Sequence, residues 1–366
     1  MKIIQTPARF YPFIGGVENY VRDLSKELVK NGHDVIVICA NEPTSPKKRD
    51  NIDGIKIERL GYIGKIANTN VTQFLPFKLL FEDFDVIHTH LPTPWSADWS
   101  AIIAFLRRKK LIVTYHNDIV GKGFTSIIAK IYNATLLKIV LGVAHKIIIT
   151  QPKYLDYSPS LKKYKDKIVV IPVGVDTDRF KPMKVKKEPH TVGFLAVLDE
   201  YHRYKGLDYL LKAIAQVKEK VHDVKLLVGG SGALLPEYKK MADELGISQS
   251  VEFFGFVPDD KLVEFYNKLD VFVLPSTSSE QEGFGTVLLE ALACGTPVIT
   301  TEIAGIADEI AENGLGVVIK PRNECGLAGA LEHIYTTKTI PVKNVTWLES
   351  KYSLDIISLK LKQVFG

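Results

Sequence analysis

Two carboxylates, Glu282 and Glu290, stand eight positions apart in STSSEQEGFGTVLLEALACGTPVI, residues 276–299. The run TVLLEALAC after Gly285 predicts a helix, stopped by Gly295 and Pro297. Glu282 then lies in the preceding loop, and Glu290 lies inside the helix, roughly 7–10 Å away along its axis. A ligand across that helix start reaches both carboxylates and the free backbone N–H groups between them. Carboxylates accept hydrogen bonds from paired hydroxyls such as those of a sugar or ribose. An acid/base pair of the glycosidase kind fits the spacing too, and so do two plain helix-end charges. A metal site fits less well, because no histidine accompanies the pair.

Other residues have the chemistry to hold an anion. Gly15 and Gly16 lead into a helix start, where backbone N–H groups favour negative charge; the same pair also reads as a tight turn. Lys205 precedes Gly206 and another helix start in EYHRYKG, with Arg203 two residues earlier. A lysine there can anchor phosphate, or be an ordinary surface lysine. GGSGALLPE carries Leu235 where a dinucleotide fingerprint needs its third glycine, and no GxxxxGK[ST] occurs. Nicotinamide-dinucleotide and P-loop sites are therefore excluded.

The loops HTHLPTPWSADWS and TYHNDIVGKG offer His90, Trp95 and Asn117 as candidate acceptor contacts. Trp95 and Trp99, four apart, can share a helix face, either against a sugar ring or in the core. Of His88 and His90, at most one is expected to face a ligand.

The net charge of +5 is modest but uneven. Between 101 and 150 the only acid is Asp118, against Arg107, Arg108, Lys109, Lys110, Lys122, Lys130, Lys138 and Lys146. This is either a solvated face or a contact for anionic lipid or an anionic acceptor. No nucleic-acid-binding motif accompanies it. FTSIIAKIYNATLLKIVLGVAHK reads as a core-facing helix pair, with a membrane-surface helix as the alternative. No apolar run is expected to reach the ~20 residues that span a bilayer, and MKIIQTPARFYPF lacks a signal segment. The three cysteines lack CxxC spacing and read as small core or helix residues. The expected location is the cytoplasm, with peripheral contact at the inner face of the membrane as the alternative.

These residues need a frame. A chain of 366 residues suggests two domains. Short β-branched runs alternate with helical patterns once in each half: KII, DVIVIC, IKIERL, FDVIHTH, KLIVTYH and HKIIIT, then TVGFLAVL, VKLLVGG, VEFFGF, DVFVLPS, TPVITT and GVVIKP. Many are apolar on both faces, as buried parallel strands are. Strand then helix, repeated, predicts two doubly wound α/β domains with right-handed crossovers. Ligands of such sheets bind at the carboxyl ends of the strands, where the loops named above lie. The charged, proline-bearing stretch after Pro172 and Gly174 reads as the linker. The expected domains are 1–172 and 173–345, with a closing helix in 346–366.

The pattern EQEGFGTVLLEALACGTPVI resembles the E-x7-E signature of retaining GT-B glycosyltransferases of the GT4 type. PFIGGVENYVRDLSKELVKNGHDVIVI, FDVIHTH, VTYHND, VVIPVGVDTDRF, LDVFVLPS and WLESKYSLDIISLKLKQVF are similar to that family's further blocks, in order, across nearly the whole chain. The resemblance implies two facing Rossmann-like domains with an interdomain cleft, and a final helix that packs back on the first domain. It implies a nucleotide-diphosphate sugar donor on the second domain and a glycan, lipid-linked or small-molecule acceptor on the first, with no metal and no other cofactor. By the same resemblance, Glu290 meets the ribose hydroxyls. Glu282 meets the transferred sugar, beside the backbone of Gly283, Phe284 and Gly285. Lys205 and Gly16, next to Gly15, meet the diphosphate, His116 the reacting sugar or acceptor, and Phe256 and Val257 the base. The family's glycine-arginine after the second domain's first strand is replaced here by Ala196-Val197; Arg203 is expected to supply the missing guanidinium. Epimerase, phosphorylase and non-catalytic sugar-nucleotide binding are the competing readings.

Overall fold

In the computed structural model, residues 1–13, 15–42, 47–66, 69–119, 123–187, 189–337 and 345–365 are described. Two units divide the chain: Met1–Val173 with Leu354–Gly366, and Gly174–Ser353.

The first unit runs β1 (Lys2–Thr6), α1 (Gly16–Lys30), β2 (Asp34–Ala40), β3 (Arg49–Ile52), β4 (Ile55–Leu60), β5 (Lys65–Ile66), β6 (Thr69–Asn70), α2 (Leu75–Phe81) and β7 (Val86–Leu91). It continues with α3 (Pro94–Leu106), β8 (Lys110–Tyr115), α4 (Phe124–Ala134), α5 (Leu136–Val143), β9 (Lys146–Ile149), α6 (Tyr154–Tyr157) and β10 (Ile168–Val170). The second unit runs β11 (Thr191–Leu195), α7 (Leu207–Lys218), β12 (Lys225–Gly229), α8 (Leu235–Glu244), β13 (Val251–Gly255), α9 (Leu262–Lys268) and β14 (Val271–Leu274). It closes with α10 (Thr286–Ala293), β15 (Val298–Thr301), α11 (Ala307–Glu312), β16 (Gly316–Ile319), α12 (Glu324–Thr337) and α13 (Val345–Tyr352), after which α14 (Leu354–Phe365) returns to the first unit.

The sheet of the first unit is eight-stranded, in the order β10-β9-β8-β7-β1-β2-β4-β3, and that of the second is six-stranded, β13-β12-β11-β14-β15-β16. All pairs in both are parallel except β3 with β4. Central strands are buried on both faces: all six residues of β7 and all four of β14 are buried, and β14, VFVL, reads as an unbroken apolar run, whereas β7 buries two histidines and a threonine. On α1 the stripe Val21, Leu24 and Leu28 is buried, at about 1.5–3 kcal/mol for each such side chain.

In both sheets the first strand has its sequence neighbour on one side and a later strand on the other: β1 lies between β2 and β7, β11 between β12 and β14. These are the points where strand order reverses, and the loops at the carboxyl ends there diverge to leave a crevice.

Three expectations need correction. The edge strand β3, read as RDNI, and the short β5–β6 pair were missed, since polar residues at a sheet edge carry no apolar signal. Residues from 346 to 353 do not belong with the closing helix: α13 packs on α10 in the second unit, and Val175 pairs with Ser353. The third concerns length: Thr125–Val143 is 19 residues with a mean hydropathy of 1.5, enough to cross a membrane on composition alone. It is not one straight helix. The chain breaks at Thr135 (φ −124°, ψ −88°), and Leu137, Val140 and Leu141 of α5 enter the first unit's core.

Candidate active site

In the second unit, the loops leaving β11 and β14 meet at the strand-order reversal. Thr277 N–H donates to the Tyr204 carbonyl at 2.7 Å, tying one loop to the other. Gly206 caps α7 in the left-handed region (φ +79°), and a Cβ there would stand 2.2 Å from the Pro275 carbonyl oxygen. Only glycine permits that approach. It brings Lys205, the residue before it, onto Glu282: Nζ lies 3.0 and 2.8 Å from the two carboxylate oxygens. Ser276 donates a further hydrogen bond to Glu282. The Glu282 side chain is 1% exposed and that of Lys205 17%. Burial alone would lower the Lys205 pKa; the Glu282 charge, with Tyr204 beside it, overcomes this and holds the ammonium above its ordinary value. The result is a fixed cation at the mouth of a parallel sheet, with its counter-charge held in place.

Gly285 (φ +86°) caps α10 in the same backbone region. The Phe284 side chain is buried against Tyr352, so its backbone, and that of Gly283 and Gly285, is what this turn can offer. Glu290, one turn into α10, accepts a 2.6 Å hydrogen bond from the Tyr266 hydroxyl. Burial, then the Glu290 charge, pushes the Tyr266 phenol well above its ordinary pKa, so it stays a donor. Phe256, just after β13, is 54% exposed with Val257 beside it, at the same carboxyl edge of the sheet.

Arg203 does not stand as the expected diphosphate ligand. Its guanidinium is held by Glu237 at 2.8 and 2.9 Å and by Glu200 at 2.9 Å. A planar fork gripped by two carboxylates has little donor capacity left for a third anion.

In the first unit the reversal between β1 and β7 is lined by neutral imidazoles. His88 and His90 are fully buried, with ring centroids 4.4 Å apart. They share a face of β7, because positions two apart on a strand point the same way. His88 Nε2 meets Thr114 Oγ1 at 2.7 Å, and Phe365 of α14 stands edge-on to it at 5.4 Å. His90 Nε2 meets Gln5 Oε1 at 2.9 Å, and His90 Nδ1 meets His116 Nε2 at 3.3 Å. With the amide oxygen toward it, His90 carries its proton on Nε2. Its Nδ1 then accepts from His116 Nε2–H, which leaves His116 Nδ1 as an acceptor. Burial holds His116 and His88 near a pKa of about 3, with His116 adding to the effect on His88. His90 is also well below its ordinary value, through burial and its two histidine neighbours.

Gly15 is the N-cap of α1, and Gly16 its first residue. The helix start already faces a carboxylate: Glu18, buried, with Arg9 3.5 Å away. Burial pushes the Glu18 carboxyl up, and Arg9 opposes it.

Two family models match, "Glycosyl transferases group 1" over residues 177–344 and "Glycosyltransferase Family 4" over residues 14–179. The chain belongs to the GT4-type glycosyltransferases. An O-antigen chain mannosyltransferase of Escherichia coli is 29% identical, covering 92% of this chain and 90% of its own. Among solved structures, sucrose-phosphate synthase of Thermosynechococcus elongatus matches with a TM-score of 0.77 at 20% identity, over 100% of this chain and 98% of its own. Anabaena HepE in complex with UDP-glucose matches with a TM-score of 0.75 at 20% identity, over 100% and 99%. The fold of this glycosyltransferase is GT-B.

Of the residues expected in this GT4-type enzyme, the structure brings Lys205 to Glu282, and His90 to His116. Glu290 is held separately, by Tyr266. Trp95 departs from its expected acceptor role: its indole N–H donates to the Thr72 carbonyl at 3.0 Å, and its ring packs edge-on to Trp99 against the core. Asn117 follows His116 and is half-buried. Sequence reasoning missed Gln5, Tyr20, Glu18, Ser276 and Tyr266. Tyr20, whose ring stands 4.9 Å from that of His116, and Glu18 lie on α1 in GGVENY, where a first-turn acid was a readable signal. Gln5, Ser276 and Tyr266 lie inside or beside strands and helices with nothing to mark them.

Proposed function

We propose that this glycosyltransferase moves a hexose from a nucleotide-diphosphate sugar, with UDP-hexose as the donor, to an acceptor hydroxyl with retention of anomeric configuration. The observation that carries the reading is the Lys205–Glu282 pair at the β11/β14 reversal, beside the start of α10. HepE, a fold relative, was solved with UDP-glucose, and the Escherichia coli relative is named a mannosyltransferase; both support a hexose donor.

In this reading Lys205 meets the diphosphate, the backbone of Gly15 and Gly16 is a further diphosphate contact, and Glu282 turns to the hydroxyls of the sugar. Glu290 receives the ribose hydroxyls, and Phe256 and Val257 border the base. The bond between the anomeric carbon and the diphosphate oxygen breaks with its electron pair going to the diphosphate. The acceptor oxygen attacks the same face, and its proton passes to the departing phosphate oxygen. Negative charge grows on the leaving group, and Lys205 and helix N–H groups stabilise it. His116, neutral at pH 7, presents an acceptor nitrogen to a hydroxyl of the sugar or acceptor. No residue is assigned as a general base, and charge neutralisation is assigned to Lys205 without a metal ion. The free thiols of Cys39, Cys294 and Cys325 suit a reducing compartment, and the reaction is placed in the cytoplasm.

The test is a thermal-shift screen of UDP-, GDP- and ADP-sugars, followed by donor hydrolysis or transfer read by proton NMR at the anomeric centre. A binding-only rise in melting point identifies the donor. A UDP-hexose response with a retained anomer supports the proposal; a response confined to other bases, or an inverted anomer, overturns that part of it.

A further inference from the structure

The helices α2, α3, α4 and α5 form one layer, α2 packing on α3, α3 on α5 and α5 on α4. Each turns apolar side chains outward. Phe81 is 81% exposed, Phe105 69%, Phe77 62%, Ile131 60%, and Ile127 and Ile139 55% each. A typical water-facing layer scatters such residues singly; here they recur on four adjacent helices. Their inner sides do the core packing, through Leu79, Ala101, Tyr132 and Leu137.

The charges around this layer are mostly positive, with Asp166 the exposed exception on the Lys162–Lys167 turn. Arg108, Lys130 and Lys138 are exposed. The Tyr164 hydroxyl donates to the Lys138 carbonyl at 2.9 Å, bringing the turn that carries Lys162, Lys163 and Lys165 beside α5. Asp98, the one acid on the four helices, accepts a 2.7 Å hydrogen bond from Tyr132. The acids that follow α2 are paired too: Glu82 with Lys78, and Asp83 with Lys2.

We infer that this layer docks the protein on an anionic bilayer surface, with aliphatic and phenyl groups in the acyl boundary and the lysines and arginine against headgroup phosphates. An amphipathic surface of this composition gains from both contributions, and neither needs a partner of defined shape. The break at Thr135 and the buried half of α5 make it a surface that lies on the membrane and does not cross it. The inference deepens the proposed function by directing it to a lipid-linked acceptor, and only that acceptor assignment rests on it. Docking is read without donor or transfer, so its failure leaves the donor reading untouched.

The experiment is co-sedimentation of the full chain with phosphatidylcholine vesicles, with and without phosphatidylglycerol. It uses the wild type, the pair Phe81→Asp/Ile131→Asp, the charge reversal Lys130→Glu/Lys138→Glu, and Leu359→Asp on α14 as a control at an exposed apolar site elsewhere. Light scattering and melting curves accompany each. The wild type is expected to pellet with anionic vesicles and far less with neutral ones. Both double variants should lose about tenfold or more in binding, with unchanged melting, and the control should bind as the wild type does. The inference is overturned if no vesicle is bound, or if binding ignores both double variants. It is also overturned if the wild type is a dimer that those variants dissociate, since the face is then an interface between copies.

Discussion

Lys205 Nζ lies 3.0 and 2.8 Å from the carboxylate oxygens of Glu282, a residue 77 positions further along the chain. An incoming diphosphate must therefore compete with Glu282 for the lysine. Removing either partner leaves the other charge buried. Lys205→Ala should lower unfolding free energy by about 3 kcal/mol and transfer turnover by about a hundredfold or more. The double variant Lys205→Met/Glu282→Leu should recover most of the stability and none of the turnover. Urea titration and initial rates on the same preparations measure both.

The histidine cluster makes the first unit sensitive to acid. Folded His88 and His116 titrate near 3, whereas an unfolded histidine titrates near 6.5. Below pH 6.5 the unfolded chain binds protons that the folded chain refuses, so stability falls as pH falls toward 3. Each imidazole should cost about 2 kcal/mol between pH 7 and pH 5. His88→Gln should shrink that loss by one imidazole's share in urea titrations at the two pH values.

Gln5 acts on His116 through His90. Gln5→Leu removes the acceptor for His90 and frees both imidazole tautomers, at a stability cost of about 1–3 kcal/mol. Turnover should fall about tenfold with donor KM unchanged. Gln5→Glu, which can accept the same hydrogen bond, should restore turnover. Nitrogen-15 chemical shifts of His116 report the tautomer directly.

Tyr266 holds Glu290 in place on α10. Tyr266→Phe should raise donor KM by about fivefold, for a lost hydrogen bond of about 1 kcal/mol, while Glu290→Ala raises it further. Donor titration by calorimetry separates this from any change in turnover.

Arg203 is engaged by Glu200 and Glu237, so Arg203→Ala should leave donor affinity and turnover near wild type and shift the melting point little. A tenfold loss of donor affinity would show that the guanidinium leaves those carboxylates for the diphosphate.

Much of the fold was legible because buried parallel strands write themselves as apolar runs: every run quoted from either half became a strand of its sheet. The polar edge strand β3 left no such trace. The site was legible in part. Glu282, Glu290 and Lys205 carry charges near helix starts, and those starts are announced by Gly206 and Gly285. Their mutual contacts were not readable, since a pairing across 77 positions depends on which strands become neighbours. Trp95 and Trp99 shared a face as their spacing required, yet periodicity does not tell a core face from a ligand face. Strand geometry alone fixes His88 and His90 on one side, but that Phe365 covers His88 was not readable, since it depends on where α14 packs.

The return of α14 to the first unit has a consequence for biosynthesis. Phe365 covers His88, and Ser358 accepts a hydrogen bond from Asn31 at the end of α1. On the ribosome, the amino-terminal half can pack the core built from Ile4 to Leu161 once those residues emerge, but His88 stays uncovered and the end of α1 unpartnered until α14 is made. The later half, contiguous from Gly174 to Ser353, has all its residues earlier, so the order of completion runs against the order of translation.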